Sequence, residues 1–378
     1  MTASVYLRPI GPFCAASPTR GATAAATATP QPPDDLAHRL GLVLGGRTDL
    51  LFAAVEVIER DGGWTGRHAA SAAEIIGGTG RAALLPAGVK ALVDHMRAPR
   101  LPVAGLTLDR PRIMGIVNVT PDSFSDGGQF ASAATAIAHA ERLDAEGADI
   151  LDIGGESTRP GAEPVTVEEE LRRVLPVLEG LAGRTRARLS IDTRKAEVMR
   201  RAAVAGAHLI NDVSALTHDA RSLRVVIETG LPVVLMHARA DPRTMQDNPT
   251  YDDVLLDVYD VLARRIEACE RAGLARGRLI VDPGIGFGKT AAHNLALLSG
   301  LSIFHGLGTA VLAGASRKSF IGQLSGAVDP QDRLPGSLAA ALAAAGQGAQ
   351  ILRVHDVAAT RQALTVWEAA QGYAAARR

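Results

Sequence analysis

The chain is short of cysteine, lysine, aromatic residues and long apolar runs. Its 378 residues include two cysteines, Cys14 and Cys269. Two cysteines so far apart supply neither a disulfide framework nor a CxxC motif, and they suit a reducing cytosol. Lys+Arg and Asp+Glu number 40 each, so the formal net charge is zero. That excludes the basic footprint of a nucleic-acid-binding protein. No apolar stretch reaches the ~18 residues of a membrane helix. The longest run of small residues, Ser337–Gly346, is mostly alanine and reads as a tightly packed helix. Residues 1–33 contain no Asp or Glu. Within them 15–33 are rich in Ala, Thr and Pro, a composition expected to be disordered. Arg8 and Pro9 interrupt any apolar core of a secretory signal. Lysine is the scarcest charge: Lys90, Lys195, Lys289 and Lys318 are the four among 40 cationic residues. Three of them follow closely on the ends of apolar runs. A compact ammonium on a flexible stem is not interchangeable with a guanidinium, so these three mark places where one is wanted.

What is present is a repeat of short apolar runs, most of which stop at a polar residue. Ile113–Val117 stops at Asn118, Ile150–Leu151 at Asp152, and Leu189–Ile191 at Asp192. Leu209–Ile210 stops at Asn211 and Asp212, and Val233–Met236 at His237. Leu279–Val281 stops at Asp282, Ala310–Ala315 at Ser316, and Ile351–Val354 at His355. Short doubly apolar strands separated by helix-length segments predict a parallel sheet covered by helices. Eight of them predict a closed (β/α)8 TIM barrel, with its chemistry on the rim formed by the strand carboxyl ends. Helices are expected over 131–146, 167–181, 196–205, 220–228, 251–272, 291–301, 338–345 and 358–375, several ended by glycine. The connection from Ser316 to Ser337 has room for one short helix. The barrel takes residues 106–378 and leaves a ~105-residue N-terminal extension. Of this, 1–33 is expected to be disordered and 34–105 to form a small unit of unknown role, with a strand over 51–58 and a helix over 82–96.

Two rim loops carry the densest chemistry. After the second strand come Gly154, Gly155, Glu156, Ser157, Thr158, Arg159 and Pro160. Hydroxyls beside a guanidinium suit a phosphate or diphosphate. After the first strand, Asn118 leads into a loop holding Phe124, which either covers a flat ligand or packs on a helix. With Val281–Lys289 (VDPGIGFGK), Ser316–Ser319 (SRKS) and Arg353–Val357 (RVHDV), these blocks resemble dihydropteroate synthase, over roughly 106–378 and in the same order.

The resemblance implies condensation of 6-hydroxymethyl-7,8-dihydropterin diphosphate with p-aminobenzoate, giving 7,8-dihydropteroate and diphosphate. It implies a pterin site of Asp192, Asn211, Met236, Asp282, Phe287, Lys318 and Arg353. Asp282 would accept the adjacent pterin N–H donors, and Met236 would pack on the ring. For Asp192, followed by Thr193, a helix N-cap is the competing reading. The p-aminobenzoate site would comprise Phe124, Thr158, Arg159, Pro160 and Ser316. Diphosphate would be held by Asn118, Ser157, Thr158, Arg159, Arg353 and His355. Lys318, Arg159, Thr158 and Asp192 would carry catalysis. Mg2+ is implied, with Asn118 its best protein ligand. A cytosolic homodimer, packed through late barrel helices such as Ser337–Gly346, is also implied. Asp152, Asp212 and His237 are left without a firm role, as loop anchors or as supports behind the residues that would touch the ligand.

Pro283–Thr290 ends like a P-loop, but Pro283 stands where that motif needs its first glycine, so nucleotide binding is rejected. A pterin-binding methyltransferase on a similar barrel would keep the pterin-reading Asp and Asn. It would have no use for Ser157–Arg159 with Arg353 and His355. A non-catalytic relative would be marked by loss of Lys318, Arg353 or Arg159, all of which are present.

Overall fold

In a computed structural model of the chain, the structure describes residues 4–10, 13–14, 42–62, 64–77, 88–119, 129–157, 163–239 and 249–371. Eight parallel strands close a barrel: β7 (Arg112–Asn118), β8 (Ile150–Gly154), β9 (Arg188–Asp192), β10 (Leu209–Asp212), β11 (Val233–Met236), β12 (Leu279–Asp282), β13 (Ala310–Ala313) and β14 (Ile351–Val354). The strands pair in chain order, and β14 closes on β7.

Side-chain parity divides the strands in two. Val117, Leu151, Ile191, Ile210, Leu235, Val281, Val311 and Leu352 belong to the large core shared with the helices. Met114, Ile150, Leu209, Val234, Ile280, Leu312 and Ile351 form a separate cluster. That second set is the packed barrel interior, since alternate residues of a strand face opposite sides. Counting upward by two from it reaches Asn118, Asp152, Asn211, Met236, Asp282 and Arg353, and Asp192 follows at the same spacing from Ser190, which donates to Asp152. Every strand-borne residue proposed for the site therefore shares the inward face.

The helices lie where the sequence places them, with small shifts. Val167–Leu181 starts at Thr166, whose hydroxyl accepts the Glu169 N–H. Helix Ala291–Ser299 begins with a reciprocal capping box of Thr290 and His293. The alanine-rich helix is longer than expected, Leu334–Gly346, and buries Ser337, Ala340, Ala341, Ala344 and Ala345 against its own barrel. The Ser316–Ser337 connection holds the short helix Ser319–Ser325 and a 3-10 turn, Pro330–Arg333.

Four expectations are corrected. Asp152 is not a strand end: β8 runs on to Gly154, which places Asp152 inside the strand and fully buried. The first 33 residues are not uniformly without structure, because Ser4–Ile10 is strand β1 and Phe13–Cys14 is β2; residues 15–33 lie outside the described residues. The expected strand over 51–58 is two, β4 (Arg47–Phe52) and β5 (Ala54–Asp61), joined at Ala53. The expected helix over 82–96 is observed as Val89–Arg97, with 82–87 outside the described residues.

These elements make two small antiparallel sheets, β1-β5-β6 and β2-β4-β3, where β3 is Leu42–Leu44 and β6 is Trp64–Ser71. They share a core with helix Val89–Arg97. A tight turn at Ala104 and Gly105 (φ +50° and +79°) pairs Val103 with Leu106. Val103 and Leu108 then join the interior cluster as the floor of the barrel. Among the described residues no helix is long and apolar enough to cross a membrane. Cys269 is buried and unbridged.

Candidate active site

Asp152 is the centre of the inward ring. Ser190 Oγ donates to its Oδ1 at 2.6 Å, and Asn211 Nδ2 donates to its Oδ2 at 2.9 Å. Arg353 Nε donates to the same Oδ2 at 2.6 Å, while Arg353 Nη2 reaches Asp192 Oδ2 at 2.8 Å. Four strands thus meet through one buried carboxylate. An unpaired buried charge is costly, and this one is offset by three donors. Two carboxylates share one guanidinium, so the second is left under-compensated. Burial, with Asp152, Glu170 and Asp212 nearby, pushes Asp192 up to about 7 despite Arg353. Burial opposes the charge on Arg353, but the two carboxylates outweigh it and raise its pKa. The N-cap reading of Asp192 fails: the next helix, Ala196–Val204, is preceded by Lys195 at its N-cap, and Asp192 turns to Arg353.

Asp282 ends β12 beside Met236, its register partner on β11. Its carboxylate accepts the Gly284 N–H at 2.7 Å. Burial raises its pKa, against Gly284, Lys318, Arg353 and Lys289. The following loop requires glycine for shape. Gly284 has φ +69°, and a Cβ there would lie 2.0 Å from the His237 carbonyl oxygen. Gly286 has φ +86°, and its Cβ would meet Lys318 Cδ at 2.8 Å. Lys318 Nζ then sits 4.0 Å from the Phe287 ring centroid, a cation–π contact. Lys289 is buried below, donating to His237 Nδ1 at 3.0 Å and to the Phe287 carbonyl at 2.9 Å. Burial pushes Lys289 down to about 7 and His237 down to about 3.

On the opposite side, Asn118 and His355 line a groove of about 470 Å³ with His139, Arg142 and Arg317. Burial, with Arg353 and Arg317 nearby, pushes His355 down to about 3, so its ring is neutral. The His355 backbone N–H donates to Ser316 Oγ at 3.3 Å, and Ser316 Oγ lies 3.0 Å from His355 Nδ1. Arg317 stands between Ser316 and Lys318 at φ +58°, a conformation costing about 1–3 kcal/mol for a residue with a side chain. It is held by Asp356, which accepts Nε at 3.0 Å and Nη2 at 2.5 Å, and by Ser337 Oγ on its N–H.

Ser157 is half-buried at the neck of the second-strand loop. Phe124, Thr158, Arg159 and Pro160 lie outside the described residues. The neck is tied by Glu156, whose Oε1 accepts the Val165 N–H at 3.1 Å and whose Oε2 accepts Lys195 Nζ at 3.0 Å. Lys195 is shared with buried Glu170 at 2.5 Å.

The structure thus brings together Asp192, Asn211, Arg353, Met236 and Asp282, with Phe287 and Lys318 alongside. It sets Asn118, Ser316 and His355 on the other side. Sequence reasoning missed Asp152 as the hub and the bracing roles of Glu156, Arg317 and Asp356. Lysine scarcity flagged Lys195 and Lys289. Parity would have flagged Asp152, two residues before Gly154 on the same face. Arg317 and Asp356 leave no signal, because their role is a contact between two loops. Asp212 does anchor its own turn, accepting the N–H groups of Ser214 and Leu216.

Comparison with known proteins decides what this rim belongs to. The family model described as pterin binding enzyme matches residues 114–355. The chain belongs to that family. Among curated relatives, the Escherichia coli K12 dihydropteroate synthase is 52% identical over 264 residues, covering 70% of this chain and 93% of the relative. The Xanthomonas albilineans dihydropteroate synthase, solved with 4-aminobenzoic acid, is 57% identical with a TM-score of 0.68, over 72% of this chain and 98% of that one. The Yersinia pestis enzyme, solved with a sulfonamide drug complex, is 51% identical with a TM-score of 0.68, over 72% and 99%. The activity is that of a dihydropteroate synthase, a transferase of folate synthesis.

Two outcomes test the hub. Asp152→Asn removes the charge that holds Arg353 and Asn211, so kcat/KM should fall about a hundredfold or more, the scale set by breaking a buried charge pair. Steady-state kinetics beside near-ultraviolet circular dichroism would check this, and a folded variant within a few-fold of wild type would refute the hub. The raised pKa of Asp192 also has a stability sign. The folded state binds this proton more tightly, so its contribution is full below the ordinary carboxylate range and is lost as pH rises towards about 7. The melting temperature of Asp192→Asn relative to wild type should therefore improve from acid to neutral pH and then level off. A pH-independent difference by calorimetry would contradict the assignment.

Proposed function

We propose that the two sides of the rim divide the condensation between them. The observation that carries this is the ring formed by Asp282, Asp192, Asn211 and Arg353. Donor-accepting carboxylates face one another across a barrel mouth walled by Met236 and Phe287, as a flat, donor-rich heterocycle needs. Asp282 accepts the adjacent amino and ring N–H of the dihydropterin. Asp192 and Asn211 read the opposite ring nitrogens. Lys318 reaches the pterin carbonyl side and the incoming amine, and Ser316 borders the p-aminobenzoate slot with Phe124, Thr158, Arg159 and Pro160.

The other side takes the leaving group. Asn118, Ser157 and His355 hold the diphosphate, joined by Thr158 and Arg159, and Arg353 bridges the two sides. Among the described residues no group of three His, Cys, Asp or Glu is close enough to hold a metal. The amide oxygen of Asn118 suits an Mg2+ that arrives on the diphosphate and keeps most of its water. When bound, that ion would offset charge on the departing oxygens.

The reaction needs no nucleophilic side chain. The carbon–oxygen bond to diphosphate breaks with its electron pair going to the leaving oxygen. Fixed donors stabilise that charge, and the electron-rich pterin carries the positive charge left on its methylene. The amine nitrogen then forms the new carbon–nitrogen bond and releases a proton. Keeping water off the cation is the enzyme's remaining task. A homodimer through the outer faces of the late helices, where Val366 is exposed, and a cytosolic location complete the reading.

Diphosphate release coupled to p-aminobenzoate consumption is the direct assay. Lys318→Ala should abolish turnover and leave a cooperative unfolding transition; near-normal turnover would remove Lys318 from the site. Without p-aminobenzoate, hydroxymethyl-dihydropterin should still form as water traps the cation, and a strict dependence of release on amine concentration would refute the dissociative order. Sulfonamides should inhibit competitively with p-aminobenzoate, and a non-competitive pattern would displace Ser316 from the amine slot.

A further inference from the structure

The N-terminal unit is keyed into the barrel. Tyr6 meets Tyr259 edge-on at 5.4 Å, and Tyr259 stacks on Phe304 at 6.2 Å. The Tyr6 hydroxyl donates to Asp260 at 2.9 Å, and Ser302 Oγ donates to the Pro9 carbonyl at 3.2 Å. Tyr6 and Ile58 belong to the same buried core as the barrel helices.

Its charged side chains reach further towards the rim. Arg60, from β5, donates to Asp257 at 2.8 Å and lies 3.6 Å from Asp252 and 3.8 Å from Asp260. Arg67, from β6, contacts Asp253 at 2.5 Å and Glu56 at 3.3 Å. Asp253 is the N-cap of helix Val254–Arg271, accepting the N–H groups of Leu255 and Leu256. Four carboxylates crowd the start of this helix, and the extension supplies two guanidiniums to hold them there.

Tyr251 stands directly before these aspartates. Its hydroxyl donates to the Gly288 carbonyl at 2.9 Å. Its ring meets His293 edge-on at 5.0 Å, and the Arg239 guanidinium lies 4.9 Å from its centroid. Gly288 is bonded to Phe287, the ring beneath Lys318 Nζ. One short path of covalent and hydrogen bonds therefore joins the extension to the pterin wall.

We propose that the N-terminal unit positions the active site: Arg60 and Arg67 hold residues 251–253 so that Tyr251 pins Gly288 and keeps Phe287 under Lys318. The proposal rests on the assignment of Phe287 and Lys318 to the pterin site. Arg60, Arg67 and Tyr251 are positioning residues and none is assigned a contact with substrate.

The test uses the full-length enzyme. The double variant Arg60→Ala/Arg67→Ala should raise KM for the pterin diphosphate about three- to tenfold with kcat little changed. Tyr251→Phe, which removes a single hydroxyl, should reproduce that rise. Combining all three substitutions should add nothing further, since they act through one path. Arg60→Lys/Arg67→Lys should restore most of the affinity. Unchanged pterin KM in the folded variants, strict additivity with Tyr251→Phe, or a loss confined to the fraction of active enzyme would each overturn the proposal. Lys318→Ala separates the two levels. If it too leaves pterin KM and turnover intact, the site assignment has failed; if it cripples the enzyme while the arginine variants do not, only the positioning role has.

Discussion

A carboxylate buried in the middle of a barrel strand is expensive, and the site depends on how that cost is met. Asp152 is surrounded by Ser190, Asn211 and Arg353, drawn from β9, β10 and β14. Each donor that offsets the charge is oriented in doing so. Asn211 and Arg353 are also groups proposed to meet the pterin. The interaction that makes the buried charge tolerable is thus the one that aims the binding groups. Because Arg353 is shared with Asp192, the second carboxylate is under-compensated and burial pushes its pKa up to about 7. A site that reads a heterocycle benefits from one firm acceptor and one group able to donate or accept.

Around this hub the rim is cross-braced in pairs. The loops after β13 and β14 are tied by Ser316 to His355 and by Arg317 to Asp356. Those after β11 and β12 are tied by Lys289 to His237 and by Tyr251 to Gly288. The loop after β8 is tied at its neck by Glu156, Val165 and Lys195. These ties lie below or beside the proposed substrate contacts. They turn loops that would otherwise be variable into walls of defined spacing, which is what catalysis by positioning and fixed donors requires. The cost is visible at Arg317, held in a left-handed conformation. The N-terminal unit extends the same principle outward, by gripping the start of the helix that follows the β11 loop.

How much of this was legible can be traced to particular residues. The eight strands are legible because each is covered on both faces and so is mostly apolar. Asn118, Asp192, Asn211, Asp282, Lys318 and Arg353 are legible as strand-end or loop-block residues. Asp152 defeats the rule that the first polar residue after an apolar run ends the strand, because β8 continues to Gly154. The donors that permit a carboxylate inside β8 are 38, 59 and 201 residues away in sequence. The two strands β4 and β5 were read as one because the break at Ala53 carries no glycine or proline.

The sequence by itself determined the barrel, its active rim and the reaction family. These follow from local periodicity and from contiguous blocks such as VDPGIGFGK, whose glycines are required by the chain's own path. Only the tertiary structure decided which charges compensate one another. It paired Arg353 with Asp152 and Asp192, Arg317 with Asp356, and the extension's Arg60 and Arg67 with the aspartates at 252–257. Electrostatic partners are chosen by distance in space and by burial, and neither quantity is written along the chain.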